Sequence, residues 1–278
     1  MEFSIINKTI TLVGKRCSGK SYMLKHILQY EANQFAKIFC ICPTELVNHF
    51  YSDIIPSNCI YETYNEEWAE LLINKLTIAN SNKKSSEQKK VLLIMDDLIA
   101  DLNIHQSKTL RIMYSRGRHI GLSVILTTQY LNSISPLIRN NSDYVFVGQQ
   151  NKASVELLQQ QFQSGDINKK EFMEMYYRCT VDYNFLLMNC NSVKDIDLNS
   201  IYGVVKTPEN ETDIAIEEYE DPEPEQKSKP DTIWGSLFGE EKKERKPRDD
   251  LIPRHNRKIK YIKGIKPIIR PAFDYDDV

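Results

Sequence analysis

Thr9-Ile10-Thr11-Leu12-Val13-Gly14-Lys15-Arg16-Cys17-Ser18-Gly19-Lys20-Ser21 is the stretch from which the rest of the chain can be read. Its first five residues are β-branched or apolar, the composition of a buried strand. The next eight fit G-x-x-x-x-G-K-[ST]. Tyr22 to Tyr30 then place apolar residues at helical spacing. Strand, glycine-bounded loop and helix together gather backbone N–H groups and a helix N-terminus around one anion. Gly14 and Gly19 allow the tight turn, and the nucleotide-binding set is Gly14, Lys15, Arg16, Cys17, Ser18, Gly19, Lys20 and Ser21. Lys20 is expected on the β- and γ-phosphates of ATP and the Ser21 hydroxyl on Mg²⁺. A glycine-rich turn with a surface lysine would satisfy the bare pattern, but it does not account for the flanking strand and helix.

Working outward, 278 residues suffice for one α/β domain of about 200 residues plus appendages. A composition of 41% hydrophobic and 27% charged residues is that of a soluble globular protein, and the net charge of −2 shows no overall polyanion-binding character. The six cysteines form no C-x-x-C pair and no zinc-spaced cluster with histidine, which predicts reduced thiols in an intracellular compartment. No apolar run approaches a membrane span, and Met1-Glu2-Phe3 does not open like a secretory signal. A cytoplasmic protein with no transmembrane segment is expected.

Further strands are predicted at residues 36–42, 58–61, 91–95, 122–126, 144–147 and 182–188, the last of the series. Helices are predicted over 66–78, 104–115, 152–163 and 168–178, with a polar loop at 80–90. Val91-Leu92-Leu93-Ile94-Met95, wholly apolar, reads as a central parallel strand covered on both faces. The alternation predicts a mostly parallel sheet flanked by helices, a domain over residues 1–205.

Beyond it the composition changes. Thr207–Asp231 carries ten acidic residues against two lysines, and Lys242–Arg270 carries twelve Lys/Arg against three acidic residues. Residues 206–278 are therefore expected to be a largely disordered, acidic-then-basic tail. An apolar island at Ile233–Phe238 and the alternating Ile259–Ile269 segment are the parts that depart from that composition.

The catalytic candidates lie at strand ends. Asp96-Asp97 follows the apolar strand: Asp96 is expected on the metal and Asp97 on the attacking water. Gln129 ends Thr127-Thr128-Gln129, a strand expected beside both the phosphate strand and the aspartate strand, where its amide can sense the γ-phosphate. Arg116 and Arg118, in Arg116-Gly117-Arg118-His119, are candidates for an arginine donated across a subunit boundary, with Arg139 a weaker one. A solvated basic loop or contacts to a nucleic-acid backbone would also account for them. His119 is given no chemistry.

The segments Gly14–Ser21, Val91–Asp97 and Ser115–Gln129 resemble the poxvirus-type DNA-packaging ATPases of large double-stranded DNA viruses and virophages, within the FtsK–HerA superfamily of P-loop motors. Asn140–Tyr144 adds to the likeness, which covers about residues 8–190 and not the tail. The resemblance implies an ASCE, RecA-like P-loop NTPase that hydrolyses ATP to drive double-stranded genomic DNA into a preformed capsid. It implies a homo-oligomeric ring, pentamer or hexamer, with capsid, portal-vertex or inner-membrane viral proteins as partners. The expected location is the host cytoplasm, at the virus factory, and the virion. Asp97 stands where many superfamily members have Glu, so its water-positioning role is the least direct carry-over. A small nucleoside phosphotransferase and a nucleotide-binding assembly scaffold are the competing readings. For the basic part of the tail, binding phosphates, docking on an acidic capsid surface and remaining solvated stay open, as does masking by the acidic block.

Overall fold

The computed structural model describes residues 4–98, 107–162, 167–191 and 202–205, and the backbone of 269–271. β1 (Thr9–Val13) leads through the glycine loop into α1 (Lys20–Glu31), and β2 (Lys37–Ile41) and the single-turn α2 (Glu45–Asn48) follow. Next come β3 (Ile60–Tyr61), α3 (Glu66–Asn80), β4 (Val91–Met95), α4 (Lys108–Arg116) and β5 (Leu122–Thr128). α5 (Pro136–Asn140), β6 (Tyr144–Val147), α6 (Lys152–Phe162), α7 (Lys169–Cys179), β7 (Phe185–Asn189), β8 (Tyr202–Val205) and β9 (Ile269–Pro271) complete the described elements.

The strands form one sheet in the order β3-β2-β4-β5-β1-β6-β7-β8-β9. Neighbours from β3 to β6 are parallel, and β7, β8 and β9 join antiparallel. All residues of β1, β4, β5 and β6 are buried, as a sheet covered on both faces requires. Met23, Leu24, Ile27 and Leu28 of α1 and Ala69, Leu72 and Leu76 of α3 supply part of that cover. The side chain of Asn65 accepts the Trp68 N–H and starts α3; Asn168 and Glu171 form a reciprocal cap at α7.

Register decides where function can sit. Val13 pairs with Thr128 and with Val147, and Met95 pairs with Leu126, so β1, β4, β5 and β6 end together at one rim. The opposite rim is fastened by Asn80, whose amide donates to Lys89 O (2.9 Å) and Ile120 O (2.8 Å) and accepts the Lys89 N–H (2.8 Å). Gly121 beside it has φ 80°, and a Cβ there would press on Lys89 O at 2.6 Å.

The strand between the phosphate and aspartate strands is where the sequence places it, and six predicted strands occur close to their expected positions. The 182–188 expectation begins three residues early, because Asp182 and Tyr183 form a turn, and it is not the last strand. Residues 104–106 of the helix expected over 104–115, and the tail expectations including Ile233–Phe238, lie outside the described residues. β9 shows that residues 269–271 of the tail join the sheet edge. Among the described residues no helix is long and apolar enough to cross a membrane, and all six cysteines are free.

Candidate nucleotide site

The glycine loop is hung from both neighbours of β1. The Gly14 N–H donates to Thr128 O (3.1 Å) and the Lys15 N–H to Gln149 O (3.0 Å). A Cβ on Gly14 would collide with Ser18 Oγ, so a larger residue there would displace that side chain. Cys17 (φ 60°) and Gly19 (φ 84°) take left-handed conformations, which bend the backbone into a concavity ahead of α1. Lys20 is buried and folds back over the loop, donating to Gly14 O (2.8 Å) and Lys15 O (3.1 Å). Burial lowers its pKa, against the attraction of Asp97 and Asp96. Ser18 Oγ is buried with no hydrogen-bond partner, a polar atom that a phosphate oxygen would satisfy.

Asp96 and Asp97 leave β4 in different directions because Asp97 is left-handed, at φ 53°. Asp96 is 6% exposed. Tyr51 donates its hydroxyl to Oδ2 at 2.7 Å, and Thr127 donates its hydroxyl to Oδ1. Desolvation pushes the Asp96 pKa up, and these two donors and Lys20 pull it part of the way back. Thr127 Oγ1 also accepts the Asp97 N–H at 3.0 Å, so one hydroxyl holds the Asp96 carboxylate and the Asp97 backbone. The half-buried Asp97 carboxylate receives the Gln129 amide on both oxygens, at 3.2 and 3.0 Å.

Gln129 is braced in turn: Gln150 donates its amide to Gln129 O at 3.2 Å. The Gln150 N–H donates to Tyr176 Oη at 2.6 Å, and that hydroxyl donates to Gly148 O at 2.9 Å. The chain thus brings Lys20, Asp96, Asp97 and Gln129 to one rim, from three adjacent strand ends.

Arg116 and Arg118 are not brought there. Both are exposed, Arg116 at the end of α4 and Arg118 in the turn that precedes β5, at the opposite rim, where Arg118 Nε lies 3.4 Å from His119 Nε2. Arg139 donates to Ile134 O within its own segment. Asp143, part of the Asn140–Tyr144 segment, accepts the Thr9 N–H (2.8 Å) and hydroxyl (2.9 Å) and so fastens the start of β1, a structural task.

Tyr51, Gln150 and the double role of Thr127 are not anticipated from sequence. Tyr51 is positioned by Glu45, whose carboxylate accepts the N–H groups of Phe50 (3.0 Å), Tyr51 (3.0 Å) and Ser52 (2.9 Å). Thr127 carried a signal, two threonines closing an apolar strand before a glutamine. Tyr51 carried none.

The donors fit magnesium. Ser21 and Asp96 offer a hydroxyl and a carboxylate, hard oxygen ligands, and no group of three or more His, Cys, Asp or Glu among the described residues could cage a softer ion. An ion held by so few protein atoms takes its remaining ligands from phosphate and water.

The family described as Poxvirus A32 protein matches residues 4–199. Protein 075L of Invertebrate iridescent virus 6 is 32% identical over 188 residues, 67% of this chain and 71% of its own length. Protein L437 of Acanthamoeba polyphaga mimivirus is 28% identical over 158 residues, 53% of this chain and 55% of its own length. The chain spans about half the length of that relative and of two others, from Frog virus 3 and Invertebrate iridescent virus 3. Among solved structures, B204, the DNA-packaging ATPase from Sulfolobus Turreted Icosahedral Virus, superposes with TM-score 0.51 at 18% identity, over 74% of this chain and 100% of that one. The genome packaging NTPase B204 from Sulfolobus turreted icosahedral virus 2, in complex with AMPPCP, gives 0.50 at 19% identity, over 73% of this chain and 98% of that one. These likenesses establish the fold, a P-loop NTPase sheet.

Proposed function

The chain belongs to the poxvirus A32 protein family, and from that premise we propose that it is an ATP-hydrolysing motor that moves double-stranded viral DNA into the capsid. Family and fold neighbours support the coarser reading, a viral genome-packaging ATPase. The observation that carries the chemistry is the convergence of Lys20, Asp96, Asp97 and Gln129 at one rim.

In this reading the loop N–H groups and Lys20 hold the β- and γ-phosphates, and Lys20 gives up its loop carbonyls for phosphate oxygens. Ser21 and Asp96 would hold Mg²⁺, which would neutralise charge on the phosphates. Asp97 accepts a proton from the attacking water and orients it. Gln129 connects hydrolysis to the rest of the molecule: its amide donates to both Asp97 oxygens and, in this reading, exchanges them for the γ-phosphate. That exchange frees the Asp97 carboxylate for water. A homo-oligomeric ring, pentamer or hexamer, acts on DNA together with capsid, portal-vertex or inner-membrane viral proteins. It works in the host cytoplasm at the virus factory, and in the virion.

ATP turnover with and without double-stranded DNA tests the proposal. DNA is expected to raise the rate, while Asp97→Asn retains ATP binding and hydrolyses at least ~10²-fold more slowly. Normal hydrolysis by Asp97→Asn would overturn the role of that residue. Phosphate transfer to a nucleoside would identify a phosphotransferase, and binding without turnover an assembly scaffold.

A further inference from the structure

Between α7 and β7 the chain reverses in four residues, Val181 to Asn184, closed by the Asn184 N–H on Val181 O at 2.9 Å. Both central residues are left-handed, Asp182 at φ 50° and Tyr183 at φ 60°. Asn and Gly usually fill such turns, and a tyrosine with positive φ is uncommon. Strained backbone of this kind concentrates where a side chain must be held in a set place.

The place is specific. Tyr183 is 57% exposed, and its Cβ and Cδ1 stand 3.6 Å from where a Cβ on Gly19 would be. Buried Phe185 lies behind it, 3.8 Å from the same point, and a Cβ on Gly148 would meet the Phe185 ring at 2.8 Å. Two glycines thus make room for two aromatic rings beside the phosphate loop.

Sheet order supplies the direction. β4 and β5, carrying Asp96, Asp97 and Gln129, lie on one side of β1, and β6 and β7 on the other. A nucleoside triphosphate bound with its γ-phosphate toward the aspartates extends its nucleoside toward β6 and β7. Tyr183, just ahead of β7 and beside Gly19, lies on that side.

We propose that the Tyr183 ring is the platform on which the base of a nucleoside triphosphate stacks. The inference rests on the nucleotide reading of the Gly14–Ser21 loop and adds the base subsite to it. Stacking uses the face of the base and needs no hydrogen-bond code, so a single aromatic ring suffices.

Calorimetric titration of the full chain with AMPPCP and with inorganic tripolyphosphate, each with Mg²⁺, separates the two. Tyr183→Ala is expected to weaken AMPPCP about 10-fold and Tyr183→Phe to bind like wild type. Tripolyphosphate affinity is expected to be equal in all three. Equal AMPPCP affinity in Tyr183→Ala and wild type overturns the proposal, as does a matching loss of tripolyphosphate, which would make the turn a support for Gly19. A loss in Tyr183→Phe as large as in Tyr183→Ala overturns stacking in favour of a hydroxyl contact. Wild-type protein that binds neither ligand overturns the loop reading itself, and this one with it.

Discussion

Asp96 is a buried carboxylate whose ionisation comes at a cost to the fold. Its pKa is raised above the ordinary carboxylate value chiefly by desolvation, despite the donors Tyr51 and Thr127. Between the unfolded and the folded pKa the native state therefore binds more protons than the unfolded chain, so this residue's contribution to stability falls as pH rises through that window. Asp96→Asn removes the charge and keeps the shape. Without metal or nucleotide, the variant is expected to be more stable than wild type at neutral pH by about 1–2 kcal/mol, the scale of such functional trade-offs. The difference should shrink as pH falls toward the folded pKa, where the wild-type carboxyl is itself neutral. Parallel denaturation curves over that pH range check it, and a gap that widens on acidification would refute the assignment. Hydrolysis should be lost in the same variant.

At the scale of elements, the far rim depends on Asn80 at the end of α3, which joins that helix to residue 89 and to the start of β5 through three hydrogen bonds. Asn80→Ala leaves buried backbone groups unpaired and is expected to cost about 2–3 kcal/mol in chemical denaturation. Its ATP affinity, measured where both proteins are folded, should match wild type, because the nucleotide rim is at the other end of the strands. Elements legible in the sequence are those whose signal is local. β4 is an unbroken apolar run, the glycine loop is a fixed pattern, and α6 and α7 show helical spacing over eleven residues each. α2 and α5 were missed because four and five residues span barely one helical turn. β8 and β9, four and three residues long, exist through pairing with β7 and with each other. The site divides along the same line. Asp96, Asp97 and Gln129 stand next to strand ends and Lys20 opens α1 within the glycine pattern, whereas Tyr51 reaches Asp96 from 45 positions away through a cap built on Glu45.

Across the whole molecule, the exposed Arg116 and Arg118 stand at the rim opposite the phosphate loop, so neither reaches the nucleotide of its own subunit. If they act on a γ-phosphate, it is a neighbour's. The double variant Arg116→Ala/Arg118→Ala is then expected to lose about 10³-fold in turnover, and so is Lys20→Ala. Mixing the two inactive proteins should restore a measurable fraction of the rate, since each supplies what the other lacks. Full activity of the arginine variant alone, or no recovery on mixing, would remove the arginines from the reaction. A last consequence belongs to the far edge of the sheet, where β9 runs antiparallel to β8, with Ile269 opposite Val205. The chain departs at Val205 and comes home beside it at Ile269, so the two strands that flank the charged stretch are held to each other at the sheet edge.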